Sequence, residues 1–259
     1  MIQQTEHRTV SKRSGIGETI RTIAYAVLIA LAVRTFLYEP FNIPSGSMRP
    51  TLLEGDYLFV SKFSYGYSRY TLAFGLPLFD GRILGGTPER GDVIVFKRPP
   101  EPSENYIKRL IGLPGDRIQM IQGILHINGV AVQRERVEDY VTTDRLGRET
   151  RVPQYIETLP NGRSYHILER SGDVGRLDNT EIFLVPEGHY FFMGDNRDDS
   201  LDSRAPGIGS AAPHVGFVPE ENLVGRAEFL WFSLEDASFR EIWKWPGALR
   251  FDRMMTGID

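Results

Sequence analysis

Two serines, Ser45 and Ser47, stand in "FNIPSGSMRPTL", which runs from Phe41 to Leu52 and also holds Pro44, Gly46 and Pro50. Proline restricts the backbone and glycine frees it, so this stretch reads as a tight turn. It is either a plain connection or a loop that presents a serine hydroxyl for attack. A serine hydroxyl is a weak nucleophile until a neighbouring base takes its proton. Histidine is the usual base. The five histidines are His7, His126, His166, His189 and His214, and none lies in a motif that reads as a triad. The chain has no cysteine, which excludes disulfides, thiolate catalysis and Cys-based zinc sites. No spacing suggests a metal site or a phosphate-binding loop.

Lysine is the remaining base. Of the 30 basic residues only five are lysines: Lys12, Lys62, Lys97, Lys108 and Lys244. Arginine keeps its proton in a protein, whereas a buried lysine can lose it. Lys108 lies in "NYIKRLIGLPGD" beside Tyr106, Ile107, Leu110 and Ile111. On an inward face it would be desolvated and its pKa lowered. On the outward face of an alternating strand it would simply meet solvent. A third stretch, "MGDNRDDSLDSR" from Met193 to Arg204, packs acids, arginines and serines directly after an apolar strand. It is either a charged turn or an internally paired cluster at the rim of the interior.

These residues need elements to hold them. The composition, 41% hydrophobic and 25% charged, is that of a folded protein. A net charge of −4 without a basic stripe argues against a nucleic-acid partner. Residues 1–19 are polar and basic and read as a cytoplasmic tail. Residues 20–38, around "IAYAVLIALAV", reach membrane-spanning length if Arg21 and Arg34 snorkel to the two headgroup layers. A cleaved signal peptide and an interfacial helix compete with this reading. The segment after Val33 is a poor cleavage site, which favours an uncleaved anchor. The excess of basic residues before the span keeps the N-terminus inside.

Beyond Asp56, "YLFVSKF", "DVIVFKRP", "YIKRLIGL", "HYFFM" and "LVGRAEFLWFSL" are β-branched and aromatic runs bounded by turn residues. Asn128-Gly129 between alternating runs predicts a tight hairpin. The expected fold is mostly β: a transmembrane helix, then an antiparallel β catalytic domain over 39–132 and 183–235. Residues 133–182 form an inserted β subdomain in this reading. Residues 64–90 read as a packed lid or a membrane-contacting loop. The tail 236–259, with Trp243 and Trp245, is a membrane-interface segment or a short packed helix.

Four blocks, "PSGSMRPTL", "RGDVIVFKRP", "YIKRLIGLPGD" and "GDNRDDSLDSR", resemble bacterial type I signal peptidase, the membrane-bound Ser-Lys leader peptidase, over about residues 16–235. The resemblance implies Ser47 as nucleophile and Lys108 as general base. It implies Ser45 as an oxyanion hydroxyl and Ser200 as a hydroxyl that orients the lysine. Asp202 and Arg204 match a supporting ion pair. Phe41, Ile43, Pro44, Met48, Leu52, Tyr106 and Ile107 match substrate-pocket positions. The implied partners are preprotein signal peptides with small residues at the cut, and the lipid bilayer. The implied location is the inner membrane, single-pass, with the catalytic domain on the extracytoplasmic side. No metal or cofactor is implied. Asp199 departs from the family's usual Asn and adds a charge near the site. A peptidase dedicated to one conjugation or pilus substrate is the related alternative. An inactive anchored β protein that binds exported chains is the alternative from another class.

Overall fold

The computed structural model describes residues 15–72, 79–99, 102–143, 148–205, 215–235 and 242–258. His7, Lys12 and His214 lie outside these residues, as do most of the expected cytoplasmic tail and part of the 64–90 loop. The core is a mostly antiparallel β structure, as the sequence predicts. The main sheet has the order Tyr38–Asn42, Asp56–Ser61, Leu223–Ser233, Val93–Lys97, Asn105–Gly112, His189–Met193, Val218–Pro219, with Thr256–Gly257 also paired to Leu223–Ser233. The Leu223–Ser233 strand breaks register at three places along Asp56–Ser61 and Val93–Lys97. Such bulges bend a strand and increase its twist, and here they curve the sheet.

Ser47 lies between the first two strands, in the short 3-10 turn Gly46–Met48. Met48 and Leu52 flank it and are fully buried with Leu58, Val60, Val93 and Val95. Burying two such side chains stabilises by about 1.5–3 kcal/mol each, and so pins the serine turn to the sheet. Lys108 is carried by the interior strand Asn105–Gly112, opposite Ile94 on one side of the sheet order, while its neighbour Arg109 pairs with Met193 on the other. An interior strand cannot slip by one residue without turning every side chain over, which fixes the facing of Lys108.

Asn128 and Gly129 both take positive φ (56° and 81°) between Ile124–Ile127 and Val130–Ala131, the tight hairpin predicted from Asn-Gly. Within 133–182 lie a three-stranded sheet (Gln133–Arg136, Gln154–Thr158, Ser164–Leu168) and a two-stranded one (Tyr140–Thr143, Glu149–Val152). Leu159, Tyr165 and Ile167 share one core cluster with Ile118, Phe191 and Met193. This region therefore packs on the body through a common core.

The N-terminal helix spans Ile16–Phe36, displaced toward the N-terminus from the expected 20–38. Tyr38 already pairs with Ser61 in the sheet, and Pro40 disfavours helix just before it. This helix is long and apolar enough to cross a membrane, with mean hydropathy 1.7 and none of that stretch buried. Its end is tied to the body. Arg34 and the buried Lys62 both pair with Glu39, at 2.9 and 2.8 Å. The Tyr67 hydroxyl donates to the Phe36 carbonyl. In the 64–90 segment, Tyr67–Ser68 pairs with Arg82–Ile83, and Arg82 donates to the carbonyls of Tyr65, Gly66 and Glu220. The described part of that segment is packed on the body, while Leu84 stays exposed.

The C-terminal residues also pack on the body. Trp245 rests against Phe232, whereas Trp243 is exposed. Arg253 donates to both oxygens of Asp56, which is fully buried and also accepts from Ser233 and the Leu53 N–H. Arg250 approaches the same carboxylate at 3.5 Å. Replacing Arg253 with Ala should cost about 1.5–3 kcal/mol, since it removes the closer of the two charged partners of a buried carboxylate. In a thermal melt this is a fall of roughly 3–12 °C. An unchanged midpoint would mean that the C-terminal segment does not brace the sheet.

Candidate active site

The serine turn and the lysine strand meet in the interior. The Lys108 amine lies 2.7 Å from the Ser47 hydroxyl and donates to the Ile107 carbonyl at 2.9 Å. Lys108 is 4% exposed and Ser47 8%. The face of the Tyr106 ring lies 5.4 Å from the amine. Desolvation pushes the Lys108 ammonium down to about 8, and only partly so because Asp202 and Asp195 pull it back up. Inward facing, one of the two readings left open by the strand's pattern, is the one observed. Buried lysine beside a hydroxyl and a carbonyl, with no carboxylate in contact among the described residues, has no strong reason to stay charged.

The segment Gly194–Arg204 holds this pair from the far side. Asn196 donates through its backbone N–H to the Ser47 carbonyl at 3.1 Å and through its side-chain amide to the Gly46 carbonyl at 3.0 Å. Asp195 accepts two bonds from the fully buried Arg109, at 2.9 and 2.8 Å, and one from Thr51 at 2.6 Å. The serine turn is thus clamped at both Ser47 and Thr51. Gly194 allows the close approach: a Cβ there would lie 2.5 Å from the Ser47 carbonyl oxygen and 2.2 Å from the Ser200 hydroxyl. The sequence reading assigned no role to Gly194, Asp195 or Asn196. Their signal was present in the "GDN" of the charged run, but their partners are distant in sequence.

Asp202 and Arg204 form a buried pair at 2.9 Å, and the Gly194 N–H donates to Asp202 at the same distance. Burial alone would raise the Asp202 carboxyl, but Arg204 and that N–H outweigh it and hold it below its ordinary value. Ser200 is buried in the same segment and makes no hydrogen bond to Lys108. Ser45 is exposed at the rim, its hydroxyl 3.5 Å from that of Ser47. Phe41, Tyr106 and Ile107 are half-buried, Ile43 is buried and Pro44 exposed. Met48 and Leu52 offer no open surface and support the turn from beneath. Asp199 forms an ion pair with Arg170 and accepts at 3.5 Å from the Asn196 side-chain amide.

An arrangement of a buried amine on a serine hydroxyl, opening to an exposed second hydroxyl, is able to perform acyl transfer without a histidine. Comparisons with known proteins give the family. The family model described as signal peptidase, peptidase S26, matches residues 16–232. Signal peptidase I of Rickettsia conorii is 46% identical over 237 residues, covering 87% of this chain and 85% of that protein. Signal peptidase I of Rickettsia canadensis is 48% identical over 220 residues, covering 82% and 78%. A solved signal peptidase I from Enterococcus faecalis V583 shares 25% identity, covers 54% of this chain and 96% of that one, and has a TM-score of 0.29. By the extent of the family match and the identity to these relatives, the chain is a serine endopeptidase belonging to the signal peptidase family, peptidase S26.

Proposed function

We propose that the protein is a membrane-anchored endopeptidase that removes N-terminal signal peptides from exported preproteins, with Ser47 as nucleophile and Lys108 as general base. The single observation that carries this reading is the 2.7 Å contact between a buried lysine amine and a buried serine hydroxyl. Neutral Lys108 accepts the Ser47 proton as the serine oxygen attacks the scissile carbonyl carbon. The Ser45 hydroxyl and the Ser47 N–H stabilise the resulting oxyanion. The Lys108 ammonium then returns its proton to the leaving amine. Water, activated by the same amine, hydrolyses the ester and restores Ser47. Asn196, Asp195 and Gly194 keep the serine turn against the lysine strand. Asp202 and Arg204 support that segment. Ser200 would orient the amine only after a movement that brings them into contact, because no bond joins them in this structure.

The helix Ile16–Phe36 is the anchor in this reading, with the N-terminus cytoplasmic and the sheet domain extracytoplasmic. Arg34, at the helix's last turn, would reach the headgroup layer beside Glu39. Ten residues, 37–46, separate the helix end from Ser47, so the hydroxyl sits close to the membrane surface. A substrate held by its own signal helix meets it there at raised effective concentration. Phe41, Ile43, Pro44, Tyr106 and Ile107 would bound the pocket for small side chains before the cut.

Cleavage of a synthetic signal peptide tests the dyad. Ser47→Ala should be inactive. Lys108→Arg should lose roughly 10²–10⁴-fold in turnover although it keeps the charge, because a guanidinium does not release its proton. The working form is the neutral amine, whose fraction rises with pH. The wild-type kcat/KM should therefore climb about tenfold per pH unit at low pH and level off above about 8. An active Lys108→Arg enzyme, or a profile flat from pH 6 to pH 9 (roughly two units below that midpoint to one above), would remove Lys108 from the role of base.

Ser45→Ala should lower kcat by about a hundred- to a thousandfold with KM nearly unchanged, as loss of one oxyanion donor does. Ser45→Thr keeps a hydroxyl and should retain much of the activity. Melting both variants beside the kinetics separates catalysis from folding. A large fall in midpoint with turnover per folded molecule intact would make Ser45 a turn residue only.

A further inference from the structure

Away from the dyad, three carboxylates converge. Glu169, Asp178 and Asp198 each bring an oxygen within 4.8 Å of the others. Glu169 follows the strand Ser164–Leu168, and its backbone N–H donates to the Pro153 carbonyl. Asp178 lies in the segment beyond the short turn Gly172–Val174, its carbonyl accepting from the Gly123 N–H. Asp198 sits in the turn Arg197–Asp199, between Asn196 and Ser200.

Among the described residues no guanidinium is hydrogen-bonded to these carboxylates. Arg197 holds Glu157 in a two-pronged buried pair and Arg204 holds Asp202, and the two guanidinium groups only partly offset the burial of Glu169 from a distance. Arg170 is spent on Asp199. Asp178 and Asp198 each accept one backbone N–H, from Gly175 and Ser171. Glu169 is 0% exposed, and neither of its oxygens has a hydrogen-bond partner among the described residues. A buried carboxylate without a partner is costly, and two more beside it raise the cost. A water molecule donating to Glu169 would satisfy an oxygen but not the mutual repulsion.

A hard cation would answer both demands. The donors are oxygen only, which suits Ca²⁺ or Mg²⁺ rather than a thiolate- or imidazole-preferring metal. Two oxygens in one Ca²⁺ shell at about 2.3–2.6 Å span up to roughly 5 Å, against about 4 Å for Mg²⁺. Oxygens that all lie within 4.8 Å of one another fall inside the span that one Ca²⁺ shell allows. The cradle is open because residue 175 is glycine: a Cβ there would lie 2.6 Å from an Asp198 oxygen and 2.8 Å from an Asp178 oxygen.

We propose that Glu169, Asp178 and Asp198 form a Ca²⁺ site that ties the 133–182 region to the Gly194–Arg204 segment behind the serine turn. The ion joins Glu169 and Asp178, on one side, to the turn whose neighbour Asn196 holds the Ser47 and Gly46 carbonyls. Its role is positioning: it neither touches the dyad nor takes part in acyl transfer.

The test uses the full chain in a non-ionic detergent, stripped with EDTA and then titrated with CaCl₂ by calorimetry. Saturable binding is expected with half-saturation at or below about 1 mM. Ca²⁺ near a hundred times that constant should raise the melting midpoint above its value in EDTA. Asp178→Asn and Asp198→Asn should each weaken binding roughly tenfold or more. Gly175→Ala keeps every charge yet obstructs the cradle, so it should bind weakly while still folding in EDTA. No binding heat and equal midpoints in CaCl₂ and EDTA would overturn the proposal. So would Ca²⁺ binding that survives all three variants, which would put the ion elsewhere. A third overturning result is Glu169→Gln raising the midpoint of a protein indifferent to Ca²⁺, since the cluster would then hold a shared proton.

Discussion

The structure depends on keeping one lysine amine dry. Lys108 loses solvation without gaining a carboxylate in contact among the described residues, so its ammonium falls to about 8 and the neutral form is within reach near neutral pH. Lys62 provides the contrast within the same fold. It is as buried as Lys108, but it meets Glu39 at 2.8 Å and serves as one half of an ion pair. Burial alone therefore does not distinguish the two lysines. What they touch does: a hydroxyl and a carbonyl in one case, a carboxylate in the other.

Around that amine the permanent charges are carried by arginine. Arg109, Arg197 and Arg204 are all nearly or fully buried, each matched to a carboxylate: Asp195, Glu157 and Asp202. Such pairs are expensive to break, because removing one partner strands a charge in the interior. Planar guanidinium groups also fix direction, since two N–H groups can meet one carboxylate. The 194–204 segment is thus rigid where it crosses behind the serine turn, and rigidity there keeps a 2.7 Å contact from opening. Gly194 belongs to the same device. The segment passes so close to the Ser47 carbonyl that no side chain fits.

The chain's route links the membrane end to this site. The helix Ile16–Phe36 leads directly into the edge strand Tyr38–Asn42, and that strand into the serine turn. Glu39 receives both Arg34 from the helix and Lys62 from beyond the second strand. The orientation of the helix end and the placement of Ser47 are therefore coupled through a few residues. The C-terminal segment closes the same sheet from the other direction through Arg253 and Asp56.

Much of this was legible in the chain itself. Alternating and apolar runs mark the strands, and Asn128-Gly129 marks a hairpin whose two positive φ angles need those residue types. The apolar run near the N-terminus marks a helix of spanning length, though its ends shifted because Tyr38 was claimed by the sheet. Proline, glycine and two serines mark the turn at 44–47. These are local properties, set by backbone sterics and by the period of the side chains. Tertiary structure decided the rest. The strand's pattern left the facing of Lys108 open, and the register with Ile94 settled it. Met48 and Leu52 proved to be wholly interior because distant strands cover them. Asn196, Asp195 and Gly194 act on residues some 140 to 150 positions away. Glu169, Asp178 and Asp198 read as ordinary acids on a polar stretch until folding brings them together. Desolvation and charge pairing depend on which groups the fold brings together, and no local sequence pattern encodes that distance.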